Sequence, residues 1–188
     1  MTSPRAPVVR LRTLPTAALT AGERDEIRSI MDAAFAGDEH GGFSDDDWEH
    51  ALGGIHVILD LDGTVVTHAA VVEREIHIGA RACRAGYVEA VATLPARDGQ
   101  GYGSRVMGAV NDHIAAGYEL GVLGTGRHRF YERLGWQVWA GPAFVRRPAG
   151  LVRTPDEEGF LLVLPTSASP PFDGTEAISC EWRPGDVW

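Results

Sequence analysis

Apolar residues recur along the chain with two different spacings, one typical of strands and the other of helices. Residues 8–14 alternate between apolar and polar side chains, which predicts a half-buried strand. Residues 20–36 carry apolar side chains on one helical face, and Thr20 with Glu23 three positions later forms the capping pattern of a helix start. Ser44, followed by three acidic residues, predicts a second, shorter helix that ends at a pair of glycines.

Three strands are predicted in a row after this helix. Residues 55–61 and 64–78 are rich in apolar and β-branched side chains, and the segment around Asp62-Gly63 between them is a hairpin signal. Residues 81–94 form a third run of this kind after a further glycine turn. The sequence therefore predicts an antiparallel meander whose last strand leads into a glycine-rich segment.

Shorter elements are predicted in the second half of the chain. Helical spacing of apolar residues predicts one helix over residues 104–118 and a short one over residues 128–134. The predicted strands of this half are residues 122–123, 136–139, 144–145 and 160–164. We expect a loop over residues 146–159 and a surface segment over residues 165–171, which are rich in Pro and Ser.

The most informative segment is the glycine-rich loop between the third meander strand and the helix that follows it. Gly99, Gly101 and Gly103 leave backbone N–H groups at a helix start open to an anion, and the helix dipole adds to the attraction. This pattern predicts a cradle for phosphate or pyrophosphate, with a flexible turn as the alternative. A P-loop is excluded because the chain has no lysine, and the dinucleotide fingerprint does not fit because it spaces its glycines G-x-G-x-x-G.

Composition and charge narrow the class of protein. The chain has 188 residues, 44% hydrophobic and 23% charged, which predicts one ordinary globular domain. The net charge of −9 argues against a nucleic-acid groove and favours cationic ligands. No apolar run approaches the roughly 20 residues that span a bilayer, and no signal-peptide core is present near the start, so we expect a cytoplasmic protein without a membrane partner.

The cysteines and histidines show no metal-binding pattern. Cys83 and Cys180 are far apart in sequence, and the seven histidines are scattered without an H-x-x-x-H or H-E-x-x-H motif. We therefore expect two reduced, structural cysteines and no metal site. The absence of lysine also excludes Schiff-base chemistry.

The order of predicted elements resembles that of the acetyl-coenzyme A dependent N-acetyltransferases of the GNAT superfamily. Their glycine loop is written Gln/Arg-x-x-Gly-x-Gly/Ala, and the run Asp98-Gly99-Gln100-Gly101-Tyr102-Gly103 matches it except at the first position. There Asp98 adds negative charge near a pyrophosphate, with Arg97 beside it as compensation. The resemblance implies an α/β (α+β) fold, in which helices flank a mixed, mostly antiparallel twisted sheet and the cofactor lies in a cleft after the fourth strand.

A closer resemblance, to the aminoglycoside 2′-N-acetyltransferases, runs along nearly the whole chain. It is carried by residues 34–38, 47–54, 86–92, 131, 135–136, 153–156 and 180–188. The last of these segments, Cys-Glu-Trp-Arg-Pro-Gly-Asp-Val-Trp, is the most specific, because few acetyltransferases place a Trp-Arg-x-Gly-Asp block at this point. Residues 39–43 and 121–131 depart from the family pattern, and both stretches border the substrate side.

This resemblance implies catalytic roles for two side chains. Glu89 is the expected general base, which takes a proton from the acceptor amine through a bridging water, and Tyr131 is the expected acid or hydrogen-bond donor for the leaving thiolate. Backbone N–H groups around Val91 are expected to receive the developing oxyanion, and direct attack in a ternary complex is expected. The plain alternatives are a carboxylate merely paired with an arginine for Glu89 and a buried packing residue for Tyr131.

The resemblance also implies which residues bind acetyl-coenzyme A (acetyl-CoA). Backbone groups of the fourth strand would pair with the pantetheine amides, and the glycine loop would hold the pyrophosphate. The expected cofactor-binding residues are Val91, Ala92, Thr93, Asp98, Gly99, Gln100, Gly101, Tyr102, Gly103 and Ser104.

A cationic amino sugar would be held by carboxylates at several points. The substrate-binding residues implied by the resemblance are Asp38, Asp47, Glu89, Ala90, Gly124, Asp156, Asp186 and Trp188, the last through its α-carboxylate, with residues 166–188 closing on the site. The alternatives are that the acidic run at Asp47 consists of helix N-terminal charges and that Asp186 is a turn residue.

Three functional interpretations follow from these patterns. The first is acetylation of the 2′-amine of aminoglycoside antibiotics, which inactivates them. The second keeps the fold but changes the acceptor to another amino sugar, such as a kasugamycin-type antibiotic or a thiol-cofactor precursor. The third is an acetyl-CoA binding module without catalysis, which Glu89 and Tyr131 argue against and Asp98 weakly favours. A homodimer is expected as well.

Overall fold

A computed structural model describes residues 5–37 and 42–188. The first strand, β1 (Val9–Pro15), leads through a short 3-10 helix into α1 (Ala21–Ala34), and α2 (Asp45–His50) follows. Both helices begin with a capping box, in which the cap side chain and the third helical residue satisfy each other's backbone N–H groups. The predicted capping role of Thr20 is confirmed, and Ser44 caps α2.

The predicted meander is confirmed. It consists of β2 (Ile55–Leu61), β3 (Thr64–Ile78) and β4 (Arg81–Thr93), all antiparallel to their neighbours. Asp62 and Gly63 turn the first hairpin with φ angles of 51° and 88°, as its Asp-Gly sequence predicts.

The second half of the chain contains two helices and six short strands. They are α3 (Tyr102–Gly117), β5 (Leu120–Gly124), α4 (His128–Glu132), β6 (Gln137–Val138), β7 (Ala143–Arg147), β8 (Gly150–Arg153), β9 (Leu161–Pro165) and β10 (Ile178–Glu181). Two further 3-10 turns lie at Pro95–Arg97 and Pro155–Glu157.

The ten strands found among the described residues belong to one mixed sheet. Its main order is β1-β2-β3-β4-β5-β9-β6, and β10, followed by β7 and β8, pairs with the end of the long strand β3. The β4–β5 and β10–β7 pairs are parallel, and the other pairs are antiparallel. This is the mixed, mostly antiparallel sheet that the family resemblance implies.

Helices cover both faces of the sheet. On one face α3 packs through apolar side chains such as Val106 and Met107 onto the centre of the sheet. On the other face α1 packs beside Ile58 and Ala92, and residues 166–188, called here the tail, pack against Tyr87 and its neighbours. Among the described residues, no helix is both long and apolar enough to cross a bilayer.

Two predictions for the second half of the chain are wrong. The loop expected over residues 146–159 contains the end of β7, all of β8 and a 3-10 turn, and β10 was not predicted at all. All four residues of β8 are exposed, so the strand lacks the alternation of apolar and polar residues that reveals a half-buried strand. The β10 strand has four residues, too few to show a period.

Candidate active site

The central feature of the site is an opening between the parallel strands β4 and β5. The two strands pair from Ala85↔Leu120 to Tyr87↔Val122, and their pairing ends there although β4 continues to Thr93. Beyond that point the β5 side of β4 therefore presents backbone groups that no strand in residues 5–37 or 42–188 pairs with. A ligand that extends the sheet can occupy this edge.

A β-bulge shapes β4 where the opening begins. The register with β3 shifts between the pairs Ala70↔Glu89 and His68↔Ala92, so that Ala90 and Val91 together oppose one residue of β3. Ala90 has a φ of 50°, in the left-handed region that non-glycine residues rarely adopt. Because a bulge removes a residue from the ladder, it turns the backbone at Ala90 and Val91 away from β3.

The glycine loop connects β4 to the N-terminus of α3. Gly101 has a φ of 81° and precedes the first helical residue, Tyr102, without contributing a side-chain cap. The first N–H groups of α3, which include those of Gly103 and Ser104, therefore have no capping side chain and can bind an anion. A Cβ added at Gly103 would make ordinary van der Waals contacts of 3.5 Å with Thr93 Oγ1 and Phe130 Cζ, so a larger side chain here would meet both residues.

Asp98 is the exception within this loop. Its Oδ1 accepts a hydrogen bond of 2.9 Å from the N–H of Gly99. This N–H is therefore already bound to a carboxylate of the loop and is not free for an anion. Gln100 and Arg97 beside it are exposed. The amides from Gly101 onward are thus the better anion donors of the predicted cradle.

Glu89 lies on the tail side of the sheet, just before the bulge. Its side chain is 14% exposed, and its Oε1 lies 2.7 Å from Nη1 of Arg183 in the tail. Burial raises the pKa of Glu89, and the positive charges of Arg183 and then Arg74 oppose that rise. Oε1 is a buried atom, and the guanidinium of Arg183 contacts it at hydrogen-bonding distance.

Arg74 of β3 fixes the tail beside Glu89. Its guanidinium, 4% exposed, donates from Nε to Glu181 Oε1 at 2.9 Å, from Nη2 to the Glu181 carbonyl at 3.0 Å and from Nη1 to the Val187 carbonyl at 2.8 Å. The ring of Tyr87 lies 4.7 Å from this guanidinium and 5.5 Å from that of Arg183. Both arginines therefore meet at one aromatic ring, two residues before Glu89.

Arg74, Tyr87 and Arg183 were missed as site residues. A signal for Arg74 was present, because it falls in phase with the buried Val72 and Ile76 on β3, where an arginine must have buried partners. The hydroxyl of Tyr87 is buried and has no hydrogen-bond partner among residues 5–37 and 42–188, and it points towards Gly124 at the end of β5.

Tyr131 lies on the opposite face of the sheet from Glu89. It belongs to the apolar cluster around α3, is 6% exposed and packs edge-to-face on Phe130 and Trp136. Burial raises the pKa of Tyr131 to about 12, while Arg127 opposes the rise. Tyr131 is therefore a buried packing residue of this cluster, whatever role its hydroxyl has in catalysis.

Three carboxylates influence one another on the tail side of the site, and one of them, Asp186, also influences Glu89. Asp186 in the tail raises the pKa of both Glu89 and Glu157, and Asp156 adds to the effect on Glu157, whose half-burial is the first cause. Asp156 and Glu157 lie in the 3-10 turn before β9. Sequence reasoning named Asp156 and Asp186 but missed Glu157, which follows Asp156 directly.

Trp188 is anchored next to these carboxylates. Its side chain is 5% exposed, its indole N–H donates to Thr154 Oγ1 at 3.0 Å, and its backbone N–H donates to Asp186 Oδ1 at 3.2 Å. The indole thus holds the tail against the segment that carries Asp156.

Helix α2 borders the same side of the site. The His50 ring lies 2.8 Å from the Pro184 carbonyl, which places α2 against the tail. The carboxylate of Asp47 accepts hydrogen bonds from the N–H and the hydroxyl of Ser44, both at 2.8 Å. Asp47 therefore caps the start of α2, which is the alternative to a substrate-binding role. Asp38 lies outside the described residues.

Comparisons with known proteins agree with this architecture. Residues 16–139 match the family model of the acetyltransferase (GNAT) domain. An aminoglycoside 2′-N-acetyltransferase from Mycolicibacterium fortuitum is 43% identical over 182 residues, which cover 94% of this chain and 91% of that protein.

Solved structures share the fold. A GNAT family acetyltransferase from Brucella melitensis in complex with acetyl-CoA aligns with a TM-score of 0.61 at 19% identity, over 91% of this chain and 94% of that one. A GNAT family N-acetyltransferase from Escherichia coli in complex with CoA aligns with a TM-score of 0.63 at 16% identity, over 96% and 93%. The predicted fold and family are confirmed, and the chain belongs to the aminoglycoside 2′-N-acetyltransferases within the GNAT superfamily.

Proposed function

We propose that this protein transfers the acetyl group of acetyl-CoA to the 2′-amine of an aminoglycoside. The observation that carries the proposal is the position of Glu89, a buried carboxylate paired with Arg183, beside the opening between β4 and β5. The family relationship supplies the substrate class, because the relative from Mycolicibacterium fortuitum is named for this reaction.

Acetyl-CoA would supply the acetyl group as an activated thioester. The uncapped amides at the start of α3, from Tyr102 to Ser104, fit its pyrophosphate, because they combine free N–H groups with the positive end of the helix dipole. The unpaired edge of β4 from Val91 to Thr93 fits the amides of its pantetheine arm. Asp98 would stay bonded to the Gly99 amide, outside this contact.

Glu89 would act as the general base. Sugar amines are mostly protonated at neutral pH, so a proton must leave before the nitrogen can attack. The raised pKa of Glu89 makes the carboxylate a stronger base than an exposed one, while Arg183 and Arg74 favour its ionised form. This balance suits a group that must be ionised and yet basic near neutral pH.

Two further groups would act on the acyl carbon and the leaving sulfur. The bulge takes the backbone of Ala90 and Val91 out of the regular ladder, so their N–H groups would be available to stabilise the developing oxyanion. The high pKa of Tyr131 favours a hydrogen bond to the leaving thiolate over complete proton transfer, because a thiol with a pKa near 8.5 is the stronger acid.

Three carboxylates would bind the other ammonium groups of the acceptor. Asp156, Glu157 and Asp186 lie close enough to Glu89 or to one another to change the pKa of their neighbours, so they can contact one polycation together. Gly124 at the end of β5 leaves space at the mouth of the opening. Asp47 keeps its second carboxylate oxygen for such a contact.

A substrate panel tests the proposal. We expect CoA release with aminoglycosides that carry a 2′-amine and none with otherwise similar compounds that carry a 2′-hydroxyl, and NMR of the product should place the acetyl group on the 2′-nitrogen. Glu89→Gln should lower turnover by about 100-fold or more while the affinity for acetyl-CoA stays close to wild type. Release that is independent of the 2′-amine would indicate another amino sugar acceptor, and acetyl-CoA binding without turnover would indicate a binding module.

A further inference from the structure

A chain of buried polar groups crosses the sheet to the bulge at Ala90. The Nδ1 atom of His68 on β3 lies 2.8 Å from the Ala90 carbonyl oxygen, and its Nε2 lies 2.8 Å from Nδ1 of His56 on β2. The chain ends at Thr16, whose hydroxyl lies 2.8 Å from Nε2 of His56. Both histidines are completely buried.

The geometry determines which atoms carry the protons. A carbonyl can only accept, so Nδ1 of His68 must donate to Ala90, and the neutral His68 ring then accepts at Nε2. His56 must therefore donate from Nδ1 and accept at Nε2 from the Thr16 hydroxyl. Burial lowers the pKa of His56 to about 4 and that of His68 to about 3, which keeps both rings neutral.

The far end of the chain is itself held in place. The hydroxyl of Thr16 accepts a hydrogen bond of 3.0 Å from the N–H of Gly53, and the carbonyl of Thr16 accepts one of 2.9 Å from Arg24 in α1. A change of tautomer at His68 would break its bond to the Ala90 carbonyl, and a change at His56 would break its bond to Nε2 of His68. In this arrangement the Thr16 hydroxyl donates to His56 rather than to the Gly54 carbonyl, which lies 3.3 Å away.

We propose that His68 is a positioning residue for acetyl transfer, which holds the β4 bulge in its active shape through the Ala90 carbonyl, with His56 and Thr16 holding His68 in turn. Ala90 stands in a strained backbone conformation that must be stabilised from outside. Its carbonyl lies between Glu89, the proposed base, and the Val91 N–H, the proposed oxyanion donor. This inference rests on the proposed function, since it concerns the same site.

A matched pair of variants separates positioning from simple packing. The side-chain amide of His68→Asn places an N–H near the original Nδ1, so it can still donate to Ala90. The amide of His68→Gln reaches the Nε2 position instead, so it can bond to His56 but leaves the Ala90 carbonyl without its donor. Both replacements bury one neutral amide in the same place.

The measurements are melting temperature, acetyl-CoA affinity by calorimetry, and kcat for an aminoglycoside with a 2′-amine. We expect His68→Gln to lose about tenfold or more in kcat and in acetyl-CoA affinity, while His68→Asn stays within about threefold of wild type at a similar melting temperature. Equal losses in the two variants, or wild-type values for His68→Gln, would overturn the proposal.

Two controls keep the test independent of the proposed function. If the wild-type protein acetylates no aminoglycoside, the proposed function fails, and the acetyl-CoA affinities of the two variants still decide the role of His68. If neither variant folds, ¹⁵N NMR of the wild-type imidazoles decides it. The proposal requires both rings to carry their proton on Nδ1, and an Nε2–H tautomer of either ring would overturn it.

Discussion

The substitution Arg183→Gln tests how the charge state of Glu89 is set. It removes a guanidinium 2.7 Å from the carboxylate, and both side chains are only 14% exposed. At an effective dielectric constant of about 20, two unit charges at this distance attract by roughly 6 kcal/mol. Water that enters the vacated space and the remaining charge of Arg74 recover much of this, so we expect the acid limb of the kcat/KM profile to move up by about 1–3 pH units.

The assay is CoA release measured as kcat/KM between pH 5 and 10, because this parameter reports the ionisation of the free enzyme's base. Activity of Arg183→Gln should fall steeply below neutral pH and recover at alkaline pH. Arg183→Lys keeps the positive charge and should keep the wild-type profile. An acid limb at the same pH in Arg183→Gln and wild type would refute the assignment of Glu89 as the base that Arg183 controls.

Three further outcomes are expected. Tyr131→Phe should lower kcat by about tenfold or more at every pH up to 10, because its pKa of about 12 keeps the phenol protonated throughout; a loss confined to alkaline pH would contradict this. Gly103→Val should weaken acetyl-CoA binding in calorimetry, because its side chain would meet Thr93 and Phe130 beside the α3 amides, whereas unchanged affinity would move the anion site elsewhere. His56 and His68 titrate in the unfolded chain near 6.5 but only at about 4 and about 3 when folded, so acid should destabilise the protein from pH 6.5 down to the folded values, by about 2 kcal/mol per histidine at pH 5. Urea unfolding at pH 7 and pH 5 measures this loss, and His68→Asn should remove half of it.

Elements with a strong local signal were predictable from the sequence. The capping box of α1 and the long apolar strands β3 and β4 carry their information within a few neighbouring residues. The strands β8 and β10 carry no such local signal. Strand β8 forms by pairing with β7, and β10 forms by pairing with β3 and β7. Tertiary pairing of this kind leaves no period in a four-residue segment.

The candidate site shows the same division. Glu89 and the glycine loop could be named from sequence motifs. In the structure Glu89 lies in the second half of β4, and the glycine loop leads into the start of α3. The partners of Glu89 could not be predicted from sequence motifs. Arg183 is 94 positions away in the sequence and contacts Glu89 only because the tail folds back across the sheet. The bulge at Ala90 was equally hidden, because the residue with the positive φ is an alanine rather than a glycine and its carbonyl is bound by His68 on another strand.

The environment of Glu89 combines opposing influences that come from different parts of the fold. Burial in the sheet raises its pKa, Asp186 adds to that rise, and Arg183 with Arg74 opposes it. Arg74 binds the Glu181 and Val187 carbonyls and thereby helps to hold the tail segment that carries Arg183, so this arginine of β3 contributes its own charge and supports that of the tail. A displaced tail would remove Arg183 and Asp186 together and leave a buried carboxylate that protonates more readily. The tail therefore affects both the ionisation of the proposed base and the binding of substrate. An effect on the base would change the pH profile of activity, whereas an effect on binding would change the KM.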